Sequence, residues 1–383
     1  MAVPLAWKNL TADKQRLAMS TLGIAFAVLL MLMQLGFRNA LVDSQVEIAR
    51  QLNADLVMVS SAKFQLNRLE PFPRRRLYQA LSVNGIVSAS PVYMELPGAF
   101  WKNPRDRTTH RIRVLGVDPD EPVFLSPEIA SQLRSLRRPD SLLVDARCRT
   151  HIGRALPGEY TELTRRAVRI AGEFSLGTDF LIDGTAITSE NTFFNLFPDY
   201  RAADPQLSRV EIGLLRAAPR VALDDLRVTL NRLLPDDVTV LSRDKFIGME
   251  RDYWMNESPV GLVFNLGTVV GFIVGVVICS QILFTDLAEK MPQFATLKAI
   301  GYENRYLRGV VLRQASLLAL FGFVPGVAVS WCLYRAVAGM TGLLMRLGLE
   351  LAATVFVLTL AMCLVSGWLA VRKVLAADPA DVF

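Results

Sequence analysis

Four long stretches of this chain carry no charged residue, and they constrain its fold more than any other feature. Leu17–Phe37, Gln314–Tyr334 and Leu351–Val371 each run 21 residues, and Ser258–Thr285 runs 28. A helix rises about 1.5 Å per residue, so ~20 residues cross a ~30 Å hydrocarbon core. The expectation is a membrane protein with four transmembrane α-helices over 17–37, 258–285, 309–334 and 351–371. A hydrophobic content of 52% and a mean hydropathy of +0.32 exclude a disordered or collagen-like chain. The first stretch exceeds the usual ~7–15-residue apolar region of a signal peptide, so it reads as a retained anchor. No small-x-small cleavage pattern follows it in Gln34–Leu41.

Charge sets the expected topology. Residues 38–257 hold 30 basic and 29 acidic side chains, whereas the remainder holds 12 and 7. The surplus of the +6 chain therefore lies beside apolar runs, which is a membrane pattern and not a nucleic-acid one. Ten Lys and Arg residues fall on the segments 1–16, 286–313 and 372–383, against Arg335 and Arg346 on the short opposite connection. Basic residues favour the cytoplasmic side. Both termini are thus expected in the cytoplasm. Residues 1–16 form an amphipathic helix around Trp7, 335–350 an external loop and 372–383 a cytoplasmic tail. The domain 38–257 lies outside, between the first two spans.

The spans have uncharged interiors, whereas ion-coupled transporters and channels usually keep ionisable groups there. Gly267, Gly271 and Gly275 recur every fourth residue, as do Gly322, Gly326 and Ser330. Small residues on one stripe let helices approach closely, either within one bundle or across a dimer seam. In the connection 286–308, Leu287, Met291, Phe294, Ala295 and Lys298 share one helical face that ends at Gly301. Such an amphipathic helix either lies on the membrane or docks in a partner's groove.

The external domain mixes β-branched stretches with helical ones and reads as α+β. Strands are expected at 55–60, 86–93, 111–117, 141–144, 168–174, 210–215 and 238–241, and helices at 74–81, 128–136, 223–233 and 243–253. His110 and His151 are far apart and lack metal-ligand spacing. No GxSxG, HExxH or GxxxxGK[ST] motif occurs, so neither a catalytic centre, a metal site nor a P-loop is expected. The acidic cluster Asp118, Asp120 and Glu121 reads as a solvated turn, and Arg74–Arg76 as a solvated helix start. Cys148 has no cysteine partner in this domain; Cys279, Cys332 and Cys363 fall inside spans.

The chain resembles the MacB/FtsX-like permease superfamily, the type VII ABC transporters, and within it the DevC family. The resemblance rests on PLAWKNL, MQLGFRNAL (33–41), RRRLYQAL (74–81), LGVDPDEPVF (115–124), FNLGTVVGFIVGVVICSQILFTDL (264–287), FATLKAIGY (294–302) and the closing ADPADVF. It implies a non-catalytic, homodimeric permease of the bacterial inner membrane with a MacB-like periplasmic core domain. It also implies that 286–301 is a coupling helix, its docking residues including Leu297, seated on a separate DevA-like ATPase. ATP and Mg would sit on that ATPase, with no cofactor on this chain. Further implied partners are a DevB-like membrane-fusion adaptor and a TolC-like outer-membrane duct. The implied cargo is a glycolipid or other hydrophobic envelope compound. The competing expectation is an FtsX-like relay that controls a periplasmic enzyme and moves no cargo.

Overall fold

The computed structural model describes residues 14–177, 179, 181–289, 304–341 and 345–376. In chain order these form α1 (Lys14–Gln51), β1 (Leu56–Ser60), β2 (Phe72–Pro73), α2 (Arg75–Leu81), β3 (Ile86–Glu95), β4 (Phe100–Lys102), β5 (Thr109–Arg111) and β6 (Arg113–Val117). There follow α3 (Pro127–Ala130), β7 (Ser141–Asp145), β8 (Tyr160–Leu163), β9 (Arg166–Phe174), β10 (Thr185–Ser189) and α4 (Glu190–Leu196). Then come β11 (Arg209–Val210), β12 (Ile212–Ala217), α5 (Leu223–Leu233), β13 (Val238–Ser242) and α6 (Arg243–Asp252). The chain closes with α7 (Pro259–Glu289), α8 (Asn304–Thr341) and α9 (Leu349–Ala376). Two compact units result. One gathers the described parts of Met1–Asn39, Pro259–Ala338 and Met345–Phe383; the other gathers Ala40–Ser258 with Gly339–Leu344.

The second unit is a head built on one mixed sheet of eleven strands, ordered β13-β1-β12-β3-β6-β10-β7-β9-β8-β4-β5. Parallel pairing occurs between β6 and β10 and between β7 and β9. Successive strand side chains point to opposite faces. In β1, Leu56 and Met58 accordingly join one core, and Val57 and Val59 the other. The first core takes α2, α4 and α5 through Leu77, Phe193, Leu226 and Leu230. The second takes the last turns of α1 through Ile48 and Ala49, α3 through Ile129 and α6 through Phe246. Both faces are covered by helices, which is why the central strands are buried end to end. Phe193 lies flat against Gly116 of β6, where an added Cβ would sit 2.6 Å from the ring. The ring also meets Tyr93, Phe197 and Tyr200 at centroid distances of 5.6, 5.0 and 5.2 Å.

Among the described residues, four helices are long and apolar enough to cross a membrane: Lys14–Gln51, Pro259–Glu289, Arg308–Gly339 and Leu349–Arg372. Near the end of α8, Arg335 stacks on Trp331 at 4.3 Å; near the end of α9, Arg372 lies over Trp368 at 5.6 Å.

Several boundaries differ from those expected. Helix α1 does not stop at Phe37 but continues to Gln51. No Gly or Pro interrupts 38–51, and Glu47 pairs with Arg50 and accepts from Gln51 one turn on. The helix expected over 128–136 is split into α3 and a 3-10 turn at Leu133–Arg137. Helix α6 gives way at Tyr253–Glu257 to a π turn, held by the Trp254 Nε1–Glu250 hydrogen bond of 2.8 Å. Strand β10 and helix α4 were not expected. The start signal of α4 is Ser189, whose hydroxyl caps it by accepting from Thr192 N.

Candidate functional site

The apolar helices pack through their small residues. In α7, Gly267 faces the Gln34 side chain, an added Cβ at Gly271 would lie 3.6 Å from Met31, and Gly275 meets Ala27 and Met362. In α8, Gly322 meets Ile24, and an added Cβ at Gly326 would lie 2.8 Å from Val28 and 3.0 Å from the Ala25 carbonyl. Both glycine stripes thus close on α1, with Gly275 also reaching α9. Without a hydrophobic drive between helices in lipid, such close approach is what lets dispersion contacts accumulate. Polar groups reinforce it. The Tyr334 hydroxyl donates across to Leu32 O, whereas Ser330 satisfies its hydroxyl within α8 by donating to Gly326 O at 2.7 Å. Ser366 donates to Val276 O at 2.9 Å, and Arg38 donates to Asn265 at 2.8 Å.

At the other end of α7, Arg16 of α1 forms a two-pronged ion pair with Glu289 and lies 3.8 Å from Asp286. Leu287, the first of the expected coupling residues, is buried in a small cluster with Val311 and Val371. Its side chain therefore fastens the end of α7 to α8 and α9. Met291, Phe294, Ala295, Leu297, Lys298 and Gly301 lie outside the described residues.

In the head, the residues read as solvated charge are largely structural. Arg74 pairs with Glu190 and touches the Tyr93 hydroxyl at 3.2 Å; Arg76 clasps Asp237 at 2.8 and 3.0 Å. Only Arg75 of that run is exposed. Asp118, Asp120 and Glu121 do form a turn, with Asp120 paired to Arg137. Burial pushes the Cys148 thiol up to about 11, which leaves little thiolate for chemistry. Three charged groups that the sequence did not single out are deeply buried. Lys63 and Glu211 pair at 2.9 Å with both side chains fully enclosed. Glu250 accepts from Leu66 N and Trp254 Nε1, yet burial still holds its carboxyl above the ordinary glutamate value. These groups pin the loop 61–70 to the sheet. His110 and His151, separate in sequence, stand with ring centroids 4.8 Å apart.

Residues 265–379 match the FtsX-like permease C-terminal family. That match covers α8, α9 and α7 from Asn265 onward. Over 317 residues the chain is 22% identical to an uncharacterized ABC transporter permease of Mycobacterium tuberculosis, found in strains CDC 1551 and H37Rv. The alignment spans 82% of this chain and 79% of that protein. Among solved structures, the periplasmic region of MacB from Actinobacillus actinomycetemcomitans aligns with 51% of this chain and 92% of its own, at 13% identity and a TM-score of 0.34. The extracellular domain of the noncanonic ABC-type transporter YknZ from Gram-positive bacteria aligns with 50% of this chain and all of its own, at 9% identity and a TM-score of 0.32.

Proposed function

We propose that this chain is the membrane permease subunit of an ABC exporter of the FtsX/MacB type, in its DevC branch, and that it performs no catalysis itself. The observation that carries this reading is the FtsX-like match over 265–379, which falls on three of the four apolar helices. The chain as a whole aligns over 82% of its length with an uncharacterized ABC transporter permease at 22% identity.

ATP and Mg belong to a separate DevA-like ATPase. The connection 286–308 docks on it, with Met291, Phe294, Ala295, Leu297 and Lys298 as the contact face and Gly301 ending the element. Leu287 ties that face to the bundle. Closure of two ATPases around a homodimer draws the cytoplasmic helix ends together. Helix α1 supports the relay: it is continuous from the glycine-gripped bundle to Ile48 and Ala49 in the head core. The head then squeezes a glycolipid or other hydrophobic envelope compound through a DevB-like adaptor into a TolC-like duct. The uncharged span interiors fit a machine whose cargo needs no ion-coupled path. Both termini lie in the cytoplasm and the chain resides in the bacterial inner membrane.

Replacing Phe294 or Leu297 with Asp should cut partner-stimulated ATP hydrolysis at least tenfold while the chain stays in the membrane. Undiminished stimulation rejects the docking role. Copurification from native membranes distinguishes the export and relay readings. An adaptor and duct support export; a cell-wall hydrolase in their place transfers the chain to the relay class.

A further inference from the structure

We propose that His110, His151 and Asp183 form a binding site in the head for a divalent transition metal ion of the zinc class. Their ligand atoms all lie within 4.8 Å of one another. Two imidazoles and one carboxylate suit zinc and its neighbours, and three protein ligands leave a position for water.

The three residues come from distant parts of the chain, and hydrogen bonds hold their backbones together. His110 sits on β5 opposite Trp101 of β4. Trp101, fully buried, donates from Nε1 to Ile152 O at 3.2 Å. Asn103, also buried, donates from Nδ2 to His151 O at 3.0 Å. Arg149 N donates to Asp183 O at 2.9 Å, which ties the 3-10 turn Thr150–Ile152 to the bend leading into β10. The ligands are thus presented by three hydrogen-bonded segments: β5, that turn and that bend.

Hydrogen bonding also selects the lone pairs. Thr108 donates its single hydroxyl proton to Asp106 Oδ1 at 2.6 Å. That carboxylate is held below its ordinary range by the same hydrogen bond, so it only accepts. The Thr108 oxygen, 2.8 Å from His110 Nε2, must then accept a proton from the ring. Nδ1 of His110 is left as the bare donor atom. A ligating histidine oriented through its second nitrogen is the usual arrangement around a protein-bound metal. On the other side, His151 Nε2 stands 3.0 Å from Asp183 Oδ2. Two ligands bound to zinc at ~2.0–2.1 Å in a tetrahedron lie ~3.3 Å apart. This edge of the site is therefore already at binding distance, and the metal replaces the proton now shared there. Arg149 occupies the other oxygen of Asp183 at 2.9 Å and holds the carboxylate in place.

The test is titration of the tag-free, full-length protein in detergent with Co2+ as probe, followed by its visible d–d absorption, and competition with Zn2+. The expected result is one ion per chain with a tetrahedral or five-coordinate spectrum and no thiolate charge-transfer band. His110→Ala and His151→Ala should each weaken uptake at least tenfold. Thr108→Val, which keeps every ligand, should weaken it by roughly tenfold through the loss of ring orientation. Absence of stoichiometric uptake by the wild type overturns the proposal and leaves an ordinary Arg–Asp–His ion network. So does wild-type affinity in both histidine variants, or a thiolate band that assigns the ion to Cys148.

Discussion

Between Asn39 and Ala40 the chain passes from bundle to head inside α1, with no residue that breaks a helix. Between Ser258 and Pro259 it returns through an extended residue, ψ 142°, with a π turn before it and a proline after it. The difference is written in a few side chains. Arg38–Gln51 lacks Gly and Pro, so the hydrogen-bond ladder runs on. Pro259 is comfortable as the first residue of α7 but disfavours the helical conformation for the residue before it, which stops α6 and α7 from fusing. The outbound connection is thus an unbroken helix, a rod in the proposed relay, and the return is broken at one extended residue, the swivel of that relay.

The largest expected effect comes from breaking the rod. Ala40→Pro removes one backbone hydrogen bond and costs about 3 kcal/mol or more within a helix. Partner-stimulated ATP hydrolysis should fall at least tenfold in that variant, measured in membranes that retain the protein. Full stimulation would show that the rod transmits nothing. Next is the grip on the rod. Gly326→Ile forces a branched side chain into Val28 and the Ala25 carbonyl, and overpacking of this kind costs about 1–3 kcal/mol. Thermal unfolding in detergent should shift downward, while Gly309→Ala, where nothing lies within 4 Å, should not move it. The swivel should respond more gently. Pro259→Ala changes stability by about 1 kcal/mol at most, yet hydrogen exchange across 253–258 should slow as the two helices join. Unchanged exchange would mean that the π turn, and not the proline, makes the break. The smallest effect is a pH slope near that turn. Burial raises the Glu250 carboxyl above its ordinary value, so this group's contribution to stability is complete below that value and is lost as pH rises through the raised one. Mild acid should therefore slow exchange around Trp254, and Glu250→Gln should flatten the dependence.

The bundle was legible because hydropathy and charge act over whole spans; all four apolar helices lie where the uncharged stretches place them. The ends of α1 and α8 were not, since loss of hydropathy marks where a helix leaves lipid and not where it stops. In the head, Leu223–Leu233 shows its amphipathic stripe and its acidic first turn, and its limits were read correctly. Strands β4, β5 and β8 are three or four residues long and owe their existence to pairing, which local sequence does not display. The fold likewise brings His110 of β5 next to His151 of a 3-10 turn held by Asn103 of the β4–β5 connection. A spacing rule tests neighbours along the chain and is blind to neighbours across the fold. The small-residue stripes were visible as stripes, but only the coordinates show α1 as the surface they close on.

The two guanidinium–indole stacks carry a consequence for the lipid. On the proposed topology, Trp331–Arg335 and Trp368–Arg372 would moor α8 and α9 at opposite headgroup layers. Sliding either helix along the bilayer normal draws a cation toward hydrocarbon, at about 2.5–3.5 kcal/mol for full immersion. Motions that tilt or rotate the helices avoid that penalty, so on the proposed mechanism membrane thickness itself would become a setting on the stroke.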